Sequence, residues 1–303
     1  MKNIAWLLIA VALVSCISRP GEKNNPKSPD KAGTFVASDL EKLAGDFKFT
    51  EGPAADAGGN VYFTDIPAGL ILIQTLEDKV ETFRRNSGGA NGLYFDREGN
   101  LLACEGNTGR ISSTAPGGDY TIIAATYGGK RFNQPNDLWP DGKGGIYFTD
   151  PQYGDETAGL SQDGMHVYYI NPGRTSVKRV CDDLEKPNGI IGTPDGKTLY
   201  VTDNRAGKTY TYDIREDGSL SNKRLFIDLG GDGMTTDTAG NVYLTTNAKN
   251  AVDIFSASGE FLESIAVPEK PSNICFGGKD RDQLFITART SIYRITLNTR
   301  GVD

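Results

Sequence analysis

Six side chains with oxygen donors recur at one phase of the sequence. Each is a carboxylate or a carboxamide that lies eleven or twelve residues before the centre of a short apolar phrase. The six positions are Glu51, Asn91, Asn136, Asn188, Asp232 and Asn273. Turn formation explains Asn-Gly and Asp-Gly pairs, but it does not explain Glu51, a poor turn former, at the same phase. The spacing therefore predicts that six polar side chains face one common place.

A ring of carboxylate and amide oxygens has the chemistry of a site for a hard cation. No His or Cys occurs at this phase, and oxygen ligands suit Ca²⁺ or Mg²⁺. Glu51 and Asp232 would neutralise a divalent charge, and Asn carbonyl oxygens would complete the coordination. Wide and rigid spacing favours the larger Ca²⁺, and Zn²⁺ or Mn²⁺ could substitute in vitro.

The apolar phrases are the elements that must position these residues. Most copies open on a Gly-containing turn and continue as an apolar strand with an interval of about forty to fifty residues. The copies span residues 59–65, 99–105, 144–150, 196–203, 240–246 and 282–288. This interval is typical of a four-stranded propeller blade, and no useful helical periodicity intervenes. The repeats predict an all-β, six-bladed β-propeller whose innermost strands begin at the central channel.

Composition excludes several other kinds of chemistry. The only histidine, His166, lies in a strand-like run, so a Ser-His-Asp triad has no convincing base and an H-E-x-x-H zinc site is impossible. The net charge is −7 without a basic block, which argues against a nucleic-acid partner. Hydrolysis by this chain would have to use carboxylates, amides or a metal. No protein partner is indicated.

The N-terminus has the pattern of an export signal. Lys2 precedes an apolar stretch over residues 4–14 that is too short to span a bilayer, and a small residue stands before Cys16. We predict a lipoprotein signal peptide over residues 1–16, a flexible tether over 17–38 and the propeller over 39–303. The alternative is an ordinary secretory signal that contains a cysteine. The expected location is the bacterial cell envelope, anchored by lipid to a membrane, periplasm-facing or in the outer membrane.

Several motifs in order resemble the SMP-30/gluconolactonase/luciferin-regenerating family, over about residues 40–297. They are Glu51-Gly52-Pro53, Asn91-Gly92-Leu93, residues 131–137, residues 148–154, Lys186-Pro187-Asn188-Gly189, Gly231-Asp232-Gly233-Met234 and the ending over residues 271–294. The resemblance implies Ca²⁺-dependent hydrolysis of a sugar lactone such as gluconolactone. It also implies that Glu51, Asn188 and Asp232 are metal ligands, that Asn136 reaches the metal or the substrate, and that Asp232 is the catalytic acid/base.

A second set of acidic residues lies at the ends of the apolar phrases. Asp65, Glu105, Asp150 and Asp203 occupy the point where the second strand of each blade returns beside the start of the first. Glu105 and Asp150, with Arg131 and Asn136, are therefore candidates for binding a sugar substrate. Capping of turns at strand ends is the equally plausible alternative for the acidic residues.

Two other functions compete with lactone hydrolysis. A phosphotriesterase-like hydrolase could use the same ion, and no sequence feature separates it securely from a lactonase. A non-catalytic sugar-binding propeller could hold Ca²⁺ purely for structure. The two carboxylates and the ring of Asn residues argue against the non-catalytic alternative, because a purely structural ion does not need a channel that is open to substrate at its mouth.

Overall fold

The computed structural model describes residues 34–154, 159–246 and 248–302. The proposed signal peptide and most of the proposed tether lie outside the described residues. The described chain consists of strands and turns, and none of it forms a helix. No helix long and apolar enough to cross a membrane is therefore found in this part of the chain.

Six antiparallel sheets of four strands form a ring, which confirms the predicted six-bladed propeller. The first strand in the chain is β1 (Glu41–Ala44), which belongs to the last blade. Blade 1 contains β2 (Thr50–Ala55), β3 (Val61–Asp65), β4 (Leu70–Gln74) and β5 (Val80–Arg85). Blade 2 contains β6 (Ala90–Phe95), β7 (Leu101–Glu105), β8 (Arg110–Thr114) and β9 (Tyr120–Ala124).

A small hairpin of β10 (Thr126–Tyr127) and β11 (Lys130–Arg131) leads into the second half of the ring. Blade 3 contains β12 (Leu138–Pro140), β13 (Ile146–Asp150), β14 (His166–Ile170) and β15 (Val177–Cys181). Blade 4 contains β16 (Pro187–Gly192), β17 (Thr198–Asp203), β18 (Lys208–Ile214) and β19 (Leu220–Ile227). Blade 5 contains β20 (Met234–Thr236), β21 (Val242–Thr246), β22 (Ala251–Phe255) and β23 (Phe261–Ala266). Blade 6 contains β24 (Pro271–Gly277), β25 (Gln283–Ala288) and β26 (Ser291–Thr296), with β1 as its outer strand.

The ring is closed by pairing the two ends of the chain. β1 runs antiparallel to β26, with Glu41 opposite Arg294. Before β1, Val36 forms a β-bridge with Leu297, and the ring of Phe35 packs edge-on against Tyr243 at 6.2 Å. The compact propeller unit begins at Thr34.

Threonine hydroxyls clamp the start of the innermost strands. Each Thr stands next to the last residue of the second strand of its blade, and its hydroxyl bonds the backbone of an innermost strand or of its approach. Thr149 Oγ1 donates to the Asn188 carbonyl at 2.7 Å, which ties blade 3 to blade 4. Thr64 Oγ1 donates to the Asn91 carbonyl in the same way, and Gly189 N donates to Thr202 Oγ1. These buried bonds fix the backbone at the residues that face the channel.

Candidate metal centre

The innermost strands open onto a cavity at one end of the central channel. The cavity has a volume of about 400 Å³ and is lined by Glu51, Asn91, Asn136 and Asp232, which come from different blades or their approaches. Loop residues such as Phe49 and Tyr153 form its outer wall. A second cavity, of about 310 Å³, lies further along the innermost strands and is mainly apolar. Four of the six residues at the repeat phase thus line one cavity.

Glu51 begins the polar ring on the innermost strand of blade 1. Its side chain is buried, and Oε2 accepts a hydrogen bond from Gly52 N at 3.0 Å. Burial raises the pKa of Glu51 well above its usual value, and the negative charges of Asp232 and Asp137 raise it further. A hydrogen bond with the Asn273 side chain partly opposes this rise in pKa.

Asp232 faces Glu51 from the approach to blade 5 and is partly exposed to the cavity. Burial raises the pKa of Asp232 from 3.8 to about 6, while a hydrogen bond with Asn188 and the charge of Lys270 oppose the rise. The Asn188 side chain also donates from Nδ2 to the Tyr153 hydroxyl at 2.6 Å. The carboxamide oxygen of Asn188 is thus the atom that this residue would offer to a cation.

Asp137 is a buried acid that the sequence reasoning missed. It follows Asn136, which drew attention at the repeat phase, and it lines the channel beyond the ring together with Asn273. Burial raises the pKa of Asp137 to about 7, although Leu138 N donates to its Oδ1 at 2.9 Å. The Asn-Asp pair after Pro135 was the available signal, because both residues stand just before an innermost strand.

Close contact between neighbouring blades explains the glycines that follow the ring residues. A Cβ atom on Gly189 would lie 1.9 Å from the carbonyl oxygen of Asp232, and one on Gly233 would lie 1.9 Å from Oδ1 of Asn273. Both glycines have ordinary negative φ, so the requirement is space and not a left-handed turn. The ring is therefore held together by direct packing of one blade's glycine on the next blade's polar residue.

The donor set fits a hard divalent cation. The neighbouring carboxylates of Glu51 and Asp232 raise the energy of each other's ionised form, and a bound cation would relieve this repulsion. Among residues 34–154, 159–246 and 248–302, no cluster of three or more His, Cys, Asp or Glu side chains is arranged to hold a metal. A cation here would therefore need amide oxygens as well as carboxylates, which is the ligand chemistry of Ca²⁺. Asn136 and Asn188 are the amides placed beside the two carboxylates.

The structure does not bring Glu105 to the cavity. Its buried carboxylate accepts from Ser112 Oγ at 2.7 Å, Thr108 Oγ1 at 2.9 Å and Tyr120 OH at 3.0 Å, and forms an ion pair with Arg84. Burial would raise the pKa of Glu105, but these hydrogen bonds hold it below its usual value. Glu105 is thus occupied within the protein, next to blade 1.

Asp150 and its equivalents cap the segments that lead to the ring. Asp150 Oδ2 accepts from Asn133 N at 2.9 Å, and its buried carboxyl group is absent from the cavity wall. Asp65 accepts from the backbone N–H of Lys48 and Phe49, just before Glu51, and Asp203 accepts likewise from residues 185 and 186. Their geometry fits the capping alternative, and their role is to position the ring.

Arg131 lies at the rim of the site. Its side chain is exposed on β11, and Nη2 donates at 3.2 Å to the carbonyl oxygen of Asn107, which itself lines the cavity. His166 lies away from the channel, with Nε2 3.0 Å from Asp163 Oδ1. Of the predicted site residues, the structure thus brings together Glu51, Asn136, Asn188 and Asp232, while Arg131 stays outside this group.

The architecture defines the class of protein: a six-bladed β-propeller with carboxylates and carboxamides gathered at one end of its channel. The family model described as SMP-30/Gluconolactonase/LRE-like region matches residues 49–290, and the chain belongs to this family. It is 31% identical over 301 residues to a gluconolactonase of Zymomonas mobilis, covering 88% of this chain and 83% of that protein.

Two further similarities agree with this assignment. The chain is 28% identical to the lactonase drp35 of Staphylococcus saprophyticus, covering 72% of this chain and 69% of the relative. The solved structure of a gluconolactonase from Xanthomonas campestris superposes with a TM-score of 0.80 at 26% identity, covering 87% of this chain and 94% of that one.

Proposed function

We propose that this protein is a lactonase that opens a sugar lactone such as gluconolactone with the help of one divalent cation, Ca²⁺. The observation that carries the proposal is the pairing of Glu51 with Asp232 at the floor of an open cavity of about 400 Å³. A cavity of this size is within the range that holds a small ligand. The names of the relatives, gluconolactonase and lactonase, support the same reaction class.

Glu51, Asn136, Asn188 and Asp232 would hold the cation. When bound, it would supply charge that polarises a lactone carbonyl and stabilises the negative oxygen formed on attack by water. The carboxamide of Asn188 is already oriented by its hydrogen bond to Tyr153 OH, so little ordering is needed on binding.

Asp232 is the residue that would accept the proton of the attacking water. It is the ring carboxylate with partial exposure to the cavity, whereas Glu51 is almost completely buried. A neighbouring cation lowers the pKa of a carboxyl group and weakens it as a base, so its contribution must come from its position. Lactones are reactive esters, and a weak base that is well placed is sufficient for them.

Lactone hydrolysis with and without chelator tests this proposal. We expect the purified protein to release acid from D-glucono-1,5-lactone in a pH-stat, to lose this activity in EDTA, and to regain it when Ca²⁺ is added back. Asp228→Asn is the matched control for Asp232→Asn, because Asp228 is an exposed carboxylate on the same approach to blade 5. Hydrolysis of paraoxon in place of lactones would identify a phosphotriesterase, and Ca²⁺ binding without turnover of either would identify a non-catalytic propeller.

We also propose that the chain is exported and anchored to a membrane of the cell envelope through lipid on Cys16. The support is the order of Lys2, the apolar stretch over residues 4–14 and the cysteine that follows. Fractionation of cells that express wild type or Cys16→Ser tests it, with wild type expected in the membrane fraction and the variant released. Equal partition of both proteins would refute the anchor.

A further inference from the structure

A small basic cavity adjoins the polar end of the channel. It has a volume of about 140 Å³, and its walls include Lys270 and Arg289. Phe49 and Asp232 form part of both this cavity and the central one. Since one water molecule occupies about 30 Å³, the small cavity has room for a carboxylate or phosphate group.

The sheet register brings the two basic residues together. Pro271 is opposite Ala288 at the end of the β24–β25 pair, so the flanking residues Lys270 and Arg289 lie next to each other. Arg289 has a positive φ of 47°, and its carbonyl oxygen accepts from Thr50 N at 2.7 Å. Its guanidinium lies 5.9 Å from the centre of the Phe49 ring. The positive φ is that of the two-residue turn between β25 and β26, in which Ala288 is opposite Ser291.

The protein does not neutralise this basic pair with a close carboxylate. Neither Lys270 nor Arg289 forms an ion pair within 4.0 Å in the part of the chain that the structure describes. The neighbouring Glu269 is occupied, because it accepts from Thr290 N and Tyr293 OH. Asp232 is close enough to feel the charge of Lys270, but its own environment is the polar ring.

In the described part of the chain, two other arginines with positive φ have hydrogen-bond acceptors, whereas Arg289 does not. Arg174 donates to Asp96 Oδ2 at 2.7 Å, and Arg281 donates to the carbonyl oxygen of Asp56 at 2.6 Å. Arg289 contacts the Phe49 ring instead, and its guanidinium makes no hydrogen bond within the described ranges. Asp232 lines the same cavity and offsets part of this positive charge, but neither basic side chain has a hydrogen-bonded or ion-paired acceptor among the described residues. Two positive charges beside one carboxylate leave a net positive charge that favours an anion.

From this arrangement, and resting on the proposed lactonase function, we propose that Lys270 and Arg289 bind an anionic group of the substrate. The preferred lactone then carries an acidic group, a carboxylate or a phosphate, in addition to its ester. The ester would lie in the central cavity beside Asp232, and the acidic group would lie across the shared wall. A bidentate guanidinium and an ammonium are the usual donors for both kinds of anion.

Three probes distinguish the possible substrates: D-glucono-1,5-lactone, which is neutral, D-glucaro-1,4-lactone, which carries a carboxylate, and 6-phospho-D-gluconolactone. We expect kcat/KM of wild type to be highest for one of the acidic lactones, and the better of the two identifies the anion. Lys270→Met and Arg289→Met should each lower kcat/KM for that lactone by about 10- to 100-fold, and for the neutral lactone by only a few-fold. Lys279→Met is the control, because Lys279 is exposed beyond the far end of β24.

The outcomes separate this inference from the proposed function. Equal loss for neutral and acidic lactones in both variants, or a wild-type preference for the neutral lactone, overturns the anion subsite while leaving the lactonase intact. If no lactone is hydrolysed, calorimetry with the open-chain dianion D-glucarate still tests the subsite. Binding that weakens at least 10-fold in Lys270→Met and Arg289→Met supports it, and binding that is absent or insensitive to both refutes it.

Discussion

Replacement of Asp232 by Asn should make the cation-free protein more stable and the enzyme almost inactive. Burial raises the pKa of Asp232 from 3.8 to about 6, and one pKa unit corresponds to about 1.4 kcal/mol. Ionised Asp232 therefore costs the folded protein up to about 3 kcal/mol, and between about 1 and 3 kcal/mol once its contact with cavity solvent is considered. Asn has the same shape, keeps an oxygen for the hydrogen bond with Asn188 and removes the charge.

The sign of the effect determines its pH dependence. Since the pKa of Asp232 is raised in the folded state, the stability linked to its protonated form is complete below about pH 4 and is lost as pH rises through about 6. The difference between Asp232→Asn and wild type should thus be small at pH 4, open between pH 4 and 6, and stay constant above. At pH 8 it corresponds to a rise in Tm of roughly 2 to 6 °C.

The assay combines thermal unfolding in EDTA with lactone hydrolysis in Ca²⁺. We expect Asp232→Asn to lose about 10²- to 10⁴-fold in kcat and to lose the increase in Tm that Ca²⁺ gives to wild type. Asp228→Asn should match wild type in all three measurements, because its carboxylate is exposed. A variant that is less stable than wild type at pH 8 in EDTA would refute the argument that burial of the ionised Asp232 destabilises the cation-free protein, and one with full activity would refute the catalytic role.

Three other changes have definite expected results. Glu105→Gln should lower the free energy of unfolding by about 2–4 kcal/mol in urea, because it weakens the buried pair with Arg84, while KM for a lactone changes little. Burial raises the pKa of Asp150 to about 7, so the wild-type protein loses stability as pH rises from about 4 to 7, and Asp150→Asn should remove this loss. The free energy of unfolding at pH 5 and pH 8 measures it, and an unchanged difference between the two pH values contradicts it. Gly189→Ala should lower the free energy of unfolding by about 1–3 kcal/mol and reduce kcat more than a surface Gly→Ala change, because the new Cβ would meet the carbonyl of Asp232. Normal activity of the variant would contradict this.

The residues of the polar ring could be predicted from the sequence because the same position of each repeat lies at the same place in the fold. Each blade begins at the channel with the equivalent position of its repeat, so polar side chains at that position in six repeats lie around one place. Glu51 was the informative member, because nothing in turn chemistry requires a glutamate there. Of the six residues at this phase, four line one cavity: Glu51, Asn91, Asn136 and Asp232. Asn188 bonds Asp232, and Asn273 bonds Glu51.

Other parts of the site were not visible in the sequence because they depend on neighbouring blades. Asp137 stands one residue outside the phase, so the pattern passes over it, yet it lines the channel just before β12. Glu105 shares its phase with Asp65 and Asp150, but Arg84 from blade 1 draws its carboxylate away. A period of about forty residues describes one blade and contains no information about which side chain of the next blade will meet it.

The same contact between blades explains why the site can be both charged and rigid. The carboxylates of Glu51 and Asp232 repel each other, and a flexible ring would relieve the repulsion by moving them apart. Here the backbone is fixed by Thr149 bonding to the Asn188 carbonyl and by Gly189 packed on the carbonyl of Asp232. The repulsion is therefore retained in the folded chain. If the proposed cation binds here, residues that fix the ring would contribute to its binding without touching it.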